Sequence, residues 1–246
     1  MIVQTTMTRG ECFLIKEQLP IWSKYADAFV FYLYGVEDDT EEYLQANKEK
    51  YNIVSILKYD DSLGDEKLSY ETDHRQKMYD EALKYSKKII CLDTDEYLDG
   101  SISKNELEEI LDKNPDTVFN LQWVQYASKD TIRVDTQWAN NYKVRMGHYS
   151  KREDLGHYLR HSLHIPHAGN TINVNPQTLF IAHLQWLSKR WVGVKQYYWK
   201  VTDYISQQVH NEDNVYPPSA YDASVNNFNW QYAKAPLEMK IPEDIF

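Results

Sequence analysis

The sequence predicts an α/β domain in which a mainly parallel central sheet is flanked by helices. Short apolar runs alternate with amphipathic stretches through the first two-thirds of the chain, which is typical of successive βαβ units. The run at residues 28–34 is apolar throughout, as expected of a strand that is buried on both faces. A chain of 246 residues is long enough to bury a substantial core as one large domain.

The alternation defines the individual elements. Strands are predicted at residues 2–6, 28–34, 52–57 and 88–92, and helices at 11–25, 40–50 and 65–86. Pro20 should end or kink the first helix because it lacks a backbone N–H. After Gly100 a helix is predicted at 105–112, strands at 117–126, 131–134, 142–146 and 178–183, and a helix at 189–208. The polar stretch from Asn211 has little periodicity, so we expect it to wrap the surface or to be partly mobile.

Composition and charge exclude several classes of protein. The chain has 27 Lys and Arg against 37 Asp and Glu, a net charge of −10, so nucleic acid is not expected as a partner. Glycine is scarce (8 of 246 residues), and neither the dinucleotide fingerprint nor the P-loop motif occurs. No apolar run approaches the ~20 residues of a membrane span, and the N-terminus lacks the pattern of a signal peptide. With Cys12 and Cys91 interpreted as reduced thiols, these features predict a soluble, cytoplasmic protein.

The most informative segment is KKIICLDTDEYLDG, in which an apolar strand is followed by Asp93, Asp95 and Glu96. Ligands of open α/β sheets bind beyond the carboxyl ends of the strands. Two carboxylates one residue apart at such a strand end can share Mg²⁺ or Mn²⁺ with a phosphate group. A bare D-x-D in an acidic protein also occurs as a solvated turn, but its position after a buried strand favours a site.

The same segment allows a second interpretation as a calcium loop. Five residues occupy positions 1, 5, 6, 8 and 12 of an EF-hand loop, namely Asp95, Asp99, Gly100, Ile102 and Glu106. Tyr97 occupies position 3, where a ligating Asp or Asn belongs. A calcium-binding module without catalysis is therefore an alternative function.

These residues also resemble a known family. IICLDTDEYL resembles the D-x-D strand end of GT-A-fold glycosyltransferases, most closely the family 2-like group, whose motif commonly reads L-D-x-D-E. TTMTRGECFLIKEQLPIW is similar to that group's opening strand, R-N-E turn and L-P-x-W helix, with Gly10 in place of Asn. YGVEDDT resembles D-x-x-S-x-D-x-T, with Tyr34 in place of the Asp that reads the base. The resemblance covers residues 1–110 well and extends loosely to His183.

The resemblance implies a metal-dependent glycosyltransferase with a single GT-A-like domain. Residues 1–110 would bind a UDP- or GDP-linked sugar, 111–210 would form the acceptor side, and 211–246 would be a surface tail. The sugar would pass, with inversion as the expected outcome, to a hydroxyl of a carbohydrate, lipid-linked or protein acceptor, in glycan or polysaccharide synthesis. Mn²⁺ or Mg²⁺ would bridge the two phosphates. A nucleotidyltransferase is a rival, although its Gly- and Arg-rich phosphate loop is represented at residues 4–10 by only one Gly and one Arg.

The resemblance also assigns residues to the donor site. The metal would be held by Asp93, Asp95 and His183. The nucleotide sugar would be lined by Thr6, Arg9, Tyr34, Asp38, Arg75, Gln76, Asp93 and Lys195. Apart from the two aspartates, each has a structural alternative: an ordinary turn for Thr6 and Arg9, core for Tyr34, a helix N-cap for Asp38, solvated helix faces for Arg75, Gln76 and Lys195, and a packing role for His183.

The acceptor side is predicted with less support from motifs. An inverting transferase needs a carboxylate that takes the proton of the acceptor hydroxyl, for which Asp154 is preferred and Asp135 is second. The histidines that follow are interpreted as loop or acceptor-site lining, with a zinc site as the alternative: His157, His161, His164 and His167. The aromatic and basic segment 185–200 allows peripheral membrane contact, although a helix packed on the sheet explains it as well.

Overall fold

The computed structural model describes residues 1–59, 71–115, 117–134, 142–148, 170–185, 187, 192–193 and 231–242. The elements in chain order are β1 (Val3–Thr8), α1 (Cys12–Trp22), β2 (Ala28–Leu33), α2 (Thr40–Ala46), β3 (Ile53–Lys58), α3 (Glu71–Ala82), β4 (Lys88–Cys91), β5 (Glu96–Gly100), α4 (Lys104–Lys113), β6 (Thr117–Gln125), β7 (Thr131–Arg133), β8 (Tyr142–His148), β9 (Asn170–Asn173), β10 (Leu179–His183) and β11 (Tyr232–Lys234). Most of the predicted helix at 189–208 lies outside the described residues.

A large sheet organises the described residues, and the predicted α/β fold class is confirmed. Its strand order is β3-β2-β1-β4-β8-β6-β10-β5, and β9 pairs with β6. The first four strands run parallel to one another, with β1 between β2 and β4. Strand β8 is antiparallel to both β4 and β6. The parallel pairs that the βαβ pattern predicts are therefore concentrated in the first four strands.

Apolar side chains on the α3 side of the sheet form one continuous cluster. Val30 of β2 and Ile89 of β4 pack there with Met78 and Tyr79 of α3. The opposite face of β2 carries Phe29, which is also buried. Every residue of β2 is buried, which confirms the prediction of a strand covered on both faces.

Helix α1 contributes a large aromatic side chain beside the other face of β2. The Trp22 ring lies 6.4 Å from that of Phe29 and 6.3 Å from that of Phe31. The helix contains Pro20 and ends two residues later, in agreement with the expectation that Pro20 ends or kinks it. Its end at Trp22 lies three residues before Tyr25, where the sequence predicts the end.

Three strands are absent from the sequence-based prediction. Strand β5 follows the D-x-D residues directly and is buried almost throughout, including Tyr97 and Asp99. Strands β9 and β11 are short and exposed, so neither carries an alternating pattern that distinguishes it from a loop. Strand β11 pairs antiparallel with β7, which places part of the tail in a small sheet.

Strand β5 also excludes the calcium loop. The residues assigned to loop positions 2 to 6 form an extended strand instead. Glu106, the expected bidentate ligand at position 12, belongs to a capping box: its carboxylate accepts from the Ser103 backbone N–H at 2.8 Å, and the Ser103 hydroxyl accepts from the Glu106 N–H. The calcium-module alternative is therefore wrong, because its spacing arose from a strand followed by a capped helix.

The chain divides into two compact units. The first contains residues 1–122 and 142–181, and the second contains 123–141 and 182–246. The organisation of residues 1–246 as one functional domain stays a prediction. Within the described part of the chain, no helix is both long and apolar enough to cross a membrane.

The close approach of β5 to the segment before β10 makes Gly100 a test of the fold. A Cβ at Gly100 would lie 2.1 Å from the Thr178 carbonyl oxygen and 2.8 Å from the Leu179 Cα. We expect Gly100→Ala to reduce the free energy of unfolding by about 3 kcal/mol, because backbone atoms cannot move aside as a side chain would. Urea denaturation measures the change.

Gly35→Ala is the matched control. Gly35 has φ +62°, and a Cβ added there would meet no other atom within 4 Å, so only backbone strain of about 1 kcal/mol is expected. Equal losses in the two variants would contradict the close packing of β5.

Candidate active site at the carboxyl edge of the parallel strands

The first four strands end at one edge of the sheet. Thr8 pairs with Leu33, so β1 and β2 finish together, whereas Cys91, the last residue of β4, pairs with Thr5, three residues before the end of β1. Backbone hydrogen bonds continue past the strand ends: the Tyr34 N–H donates to the Thr8 carbonyl at 2.9 Å, and the Tyr59 N–H donates to that of Leu33 at 2.9 Å. The residues that follow these strands therefore share the edge at which open α/β sheets bind ligands.

The D-x-D residues form a closed acidic turn, residues 93–96, directly after β4. The Glu96 carboxylate accepts a hydrogen bond from the Asp93 N–H at 2.9 Å, and the Glu96 N–H donates to the Asp93 carbonyl at 3.0 Å. Asp95 and Glu96 are buried, whereas the Asp93 side chain is 31% exposed. Glu96 thus closes the turn, and Asp93 presents a carboxylate to solvent.

Arg75 of α3 supplies a positive charge to this turn. Its Nη2 lies 2.9 Å from Asp93 Oδ1, and the Arg75 side chain is only 4% exposed. Nη1 lies 3.5 Å from the Cys91 Sγ, which also accepts from the Tyr79 hydroxyl at 3.1 Å. The solvated-face alternative for Arg75 is therefore wrong, because its guanidinium is buried at the acidic turn.

Gln76 occupies a different environment. Its amide donates to Asp80 Oδ1 at 2.9 Å, an i,i+4 contact within α3. The structure therefore brings Arg75 to the acidic turn and ties the Gln76 amide to its own helix. The donor-site role of Gln76 stays a prediction.

Tyr34 and Arg9 meet at the edge. The Arg9 guanidinium lies 4.7 Å from the centroid of the Tyr34 ring, a cation–π distance. Tyr34 is buried and belongs to an aromatic cluster with Tyr32, Tyr59 and His74, in which ring centroids are 5.0–5.3 Å apart. The structure thus favours the core alternative for Tyr34, with Arg9 over its face.

His74 links that cluster to α3 and was not identified from the sequence. Its Nδ1 lies 2.9 Å from the Tyr32 hydroxyl. Burial raises the pKa of Tyr32 to about 12, so this hydroxyl keeps its proton at neutral pH. His74 therefore fixes the start of α3 next to Arg75.

Asp38 connects the starts of two helices. Its Oδ2 accepts from the Cys12 N–H at 2.9 Å, and its Oδ1 accepts from the Thr40 N–H at 3.1 Å. Gly10, at φ +96°, leaves room for this carboxylate, since a Cβ there would lie 2.9 Å from Asp38 Oδ1. The geometry matches the alternative in which Asp38 caps a helix, and the carboxylate binds the start of α1 as well as that of α2. It also explains why Gly rather than Asn stands at position 10.

Thr6 lies within the sheet. It pairs with Phe31 in β2, is buried, and accepts a hydrogen bond from the Gln4 amide at 3.2 Å. Because side chains alternate along a strand, Thr6 points away from the face on which Val3 packs with α3. Thr6 and Arg75 therefore lie on opposite faces, and the structure does not bring them together.

His183 ends β10 in the second unit. Its ring stacks on that of Trp123 with a centroid separation of 4.1 Å, and its Nδ1 lies 2.6 Å from Gln125 Oε1. An amide oxygen accepts, so Nδ1 is the donor of this pair. Stacking and hydrogen bonding hold the ring in place.

The acceptor-side predictions lie outside the described residues. These are the two candidate bases, the predicted diphosphate contact and the histidines: Asp135, Asp154, Lys195, His157, His161, His164 and His167. Most of the segment 185–200 lies outside them as well.

The acidic turn supplies carboxylate oxygens, the kind of donor that a hard divalent cation binds. In the described part of the chain, no group of three or more His, Cys, Asp or Glu side chains is arranged to hold a metal. Asp93 and Asp95 offer oxygen ligands, and Mg²⁺ is commonly bound by one or two carboxylates together with substrate phosphates.

Neither a protein-family model nor a curated protein matches the sequence. Among solved structures, the chain is similar to S. aureus TarS, with 10% identity, a TM-score of 0.49, and coverage of 92% of this chain and 43% of that one. It is similar to HddC from Yersinia pseudotuberculosis, with 9% identity, a TM-score of 0.42, and coverage of 82% and 98%. It is also similar to the mannosyltransferase PcManGT from Pyrobaculum calidifontis, solved with GDP-Man and Mn²⁺, with 11% identity, a TM-score of 0.41, and coverage of 91% and 68%. The chain thus spans less than half the length of the TarS chain.

The architecture itself is GT-A-like, as the sequence resemblance predicted. Four parallel strands in the order β3-β2-β1-β4 are continued by mixed strands, and helices flank the sheet. The acidic turn follows β4, the strand next to β1.

The pH dependence of stability tests the capping role of Asp38. Burial raises the pKa of its carboxyl, but the hydrogen bonds from Thr40 and Cys12 outweigh burial, so the pKa lies below its ordinary value. Because the folded-state pKa of Asp38 is lowered, its ionised carboxylate stabilises the protein at pH values above the ordinary Asp pKa of about 4. This stabilisation is lost as the pH falls through the folded-state pKa. We expect Asp38→Asn to lower the free energy of unfolding by about 0.5 kcal/mol at pH 7. The effect is small because solvent screens the charge of an exposed carboxylate.

Urea denaturation at pH 7 and at pH 3 measures this effect. The difference between wild type and Asp38→Asn should shrink at the lower pH. Asp39→Asn is the control, because the neighbouring Asp39 side chain makes no capping hydrogen bond. A difference that is the same at both pH values would contradict the role of the Asp38 charge.

Proposed function

We propose that the protein is a metal-dependent glycosyltransferase that moves a sugar from a nucleotide-diphosphate sugar to an acceptor hydroxyl. The observation that carries this proposal is the acidic turn at the carboxyl edge of the parallel strands, with buried Arg75 bound to Asp93. This combination places two oxygen donors and a fixed positive charge where α/β sheets receive ligands. The donor is UDP- or GDP-linked.

Electrostatics explains why a cation is part of the proposal. The protein carries a net charge of −10, and a diphosphate adds further negative charge. Arg75 compensates Asp93 across a 2.9 Å ion pair, while Asp95 and Glu96 belong to the same short turn. A divalent cation held by Asp93 and Asp95 offsets the negative charge of these acids, which favours the binding of a diphosphate beside them.

When bound, the cation supplies Lewis-acid stabilisation of the negative charge that develops on the leaving diphosphate. The role of His183 as a further metal ligand stays a prediction from the sequence, because no three such side chains are arranged to hold a metal among the described residues. The chain's own groups then orient the donor: Arg75 holds Asp93, and Glu96 holds the turn.

The nucleotide is proposed to meet Arg9 at the same edge. The Arg9 guanidinium covers the Tyr34 ring, so Tyr34 supports Arg9 while Arg9 faces the ligand. Lys195 is proposed to hold the diphosphate. Asp154, with Asp135 second, is proposed as the base that takes the proton of the acceptor hydroxyl during inversion. The acceptor is a carbohydrate, lipid-linked or protein hydroxyl.

A thermal-shift panel tests donor binding. Because a ligand that binds only the native state raises the apparent stability, UDP or GDP should raise Tm in the presence of Mn²⁺. At a concentration about 100 times the dissociation constant, the stabilisation is about 2.7 kcal/mol. The same nucleotide without Mn²⁺ should give a much smaller shift. A panel in which no nucleotide acts with metal would overturn the proposal.

Asp95→Asn tests catalysis at the acidic turn. The substitution preserves the side-chain shape and removes the charge, so we expect transfer activity to fall at least about 100-fold, a loss of about 2.7 kcal/mol of transition-state stabilisation. Release of nucleoside diphosphate from a sugar donor is the assay. Glu109→Gln, which removes one negative charge at an exposed position of α4, should behave like wild type.

Two outcomes of that assay contradict the proposal. Unchanged turnover in Asp95→Asn would show that the acidic turn is not the site. Pyrophosphate as the product, rather than nucleoside diphosphate, would identify a nucleotidyltransferase instead.

A further inference from the structure

We infer that Gln18 and Trp22 of α1 position the acidic turn, holding it so that its carboxylates face the ligand. This positioning role rests on the proposed function, whereas the contacts that support it belong to the fold. Gln18 and Trp22 are four residues apart on α1, so they lie on the same face of the helix. Each donates a hydrogen bond to a backbone carbonyl of the turn.

Gln18 holds the middle of the turn. Its amide nitrogen donates to the Thr94 carbonyl oxygen at 3.3 Å, and the residue is fully buried. Thr94 separates the two aspartates, so this bond acts on the peptide between them. The neighbouring buried side chains of α1 are mainly apolar, including Leu14, Ile15 and Leu19. A buried amide costs free energy unless it is hydrogen-bonded, which indicates that Gln18 has a specific task.

Trp22 holds the end of the turn. Its Nε1 donates to the Glu96 carbonyl oxygen at 2.8 Å. The same indole packs against Phe29 and Phe31 of β2, so its position is fixed by the central sheet. Glu96 in turn binds the Asp93 N–H through its carboxylate. A continuous series of contacts therefore leads from β2 through Trp22 to the backbone of Asp93.

The consequence concerns orientation rather than chemistry. The side chains of Asp93 and Asp95 project from a four-residue segment whose middle and final carbonyls are both bound by α1. A site that shares a cation with a diphosphate depends on the placement of these carboxylates, and a displacement of about 1 Å can reduce catalysis by about 100-fold. Gln18 and Trp22 act through the turn without contacting the donor, so they are positioning residues.

Two substitutions remove the donors and keep an apolar side chain in the core. Gln18→Met keeps the length of the side chain and loses the amide. Trp22→Phe keeps an aromatic ring against β2 and loses the indole N–H. Leu14→Met is the control, because it changes a buried residue of the same helix by a nearly volume-conserving swap. A melting curve and a circular-dichroism spectrum establish that each variant folds.

Amide hydrogen exchange tests the contacts whatever the function of the protein. We expect the Asp93 and Glu96 N–H groups to exchange about tenfold faster in Gln18→Met and in Trp22→Phe, as the loss of one hydrogen bond implies. The Leu107 N–H, which donates to Ser103 in α4, should not change. Unchanged exchange at the turn in both variants would overturn the inference.

Calorimetric titration with UDP or GDP in the presence of Mn²⁺ tests the positioning role. Affinity should fall about tenfold in each variant, as expected when one hydrogen bond no longer holds the turn, and remain at the wild-type value in Leu14→Met. Faster exchange with wild-type affinity would overturn the role while leaving the proposed function intact. Failure of wild type to bind either nucleotide with Mn²⁺ would overturn both, with hydrogen exchange still reporting whether α1 holds the turn.

Discussion

The closure of the acidic turn by Glu96 is the constraint on which the candidate site depends. Its buried carboxylate accepts from the Asp93 N–H at 2.9 Å, which closes the turn that leads from β4 into β5. Within this turn the Asp93 side chain stays partly exposed at the edge of the parallel strands. Glu96 therefore shapes the site by binding backbone rather than ligand.

The parallel half of the fold is predictable from sequence because burial dictates residue type there. The run at residues 28–34 has to be apolar to lie between α1 and α3, and the D-x-D residues stand out because they directly follow another apolar strand, β4. Strand β5 is not predictable in the same way. Its Glu96 and Asp99 are buried acids, and a pattern of hydrophobicity assigns such residues to a solvated loop.

The acidic residues of the candidate site can be predicted from the sequence, whereas the residues that hold them in place are harder to predict. A pair of carboxylates after a strand has a sequence signature, whereas Gln18 has none, since a glutamine in an amphipathic helix normally indicates the exposed face. Arg75 is ambiguous for the same reason. Only the structure shows that its guanidinium is buried at Asp93. The ion pair with Asp93, rather than the hydrophobic pattern of α3, explains why a buried arginine is tolerated at this position.

The scarcity of glycine has a structural counterpart at this edge. Gly10, one of only eight glycines, leaves room for the Asp38 carboxylate, which binds the first N–H groups of α1 and α2. Those N–H groups are the ones that a phosphate would use at a helix N-terminus. Because the Asp38 carboxylate already accepts from these N–H groups, the starts of α1 and α2 do not offer them to a phosphate. Under the proposed function, a cation bound to the acidic turn would therefore take over the task of holding the diphosphate.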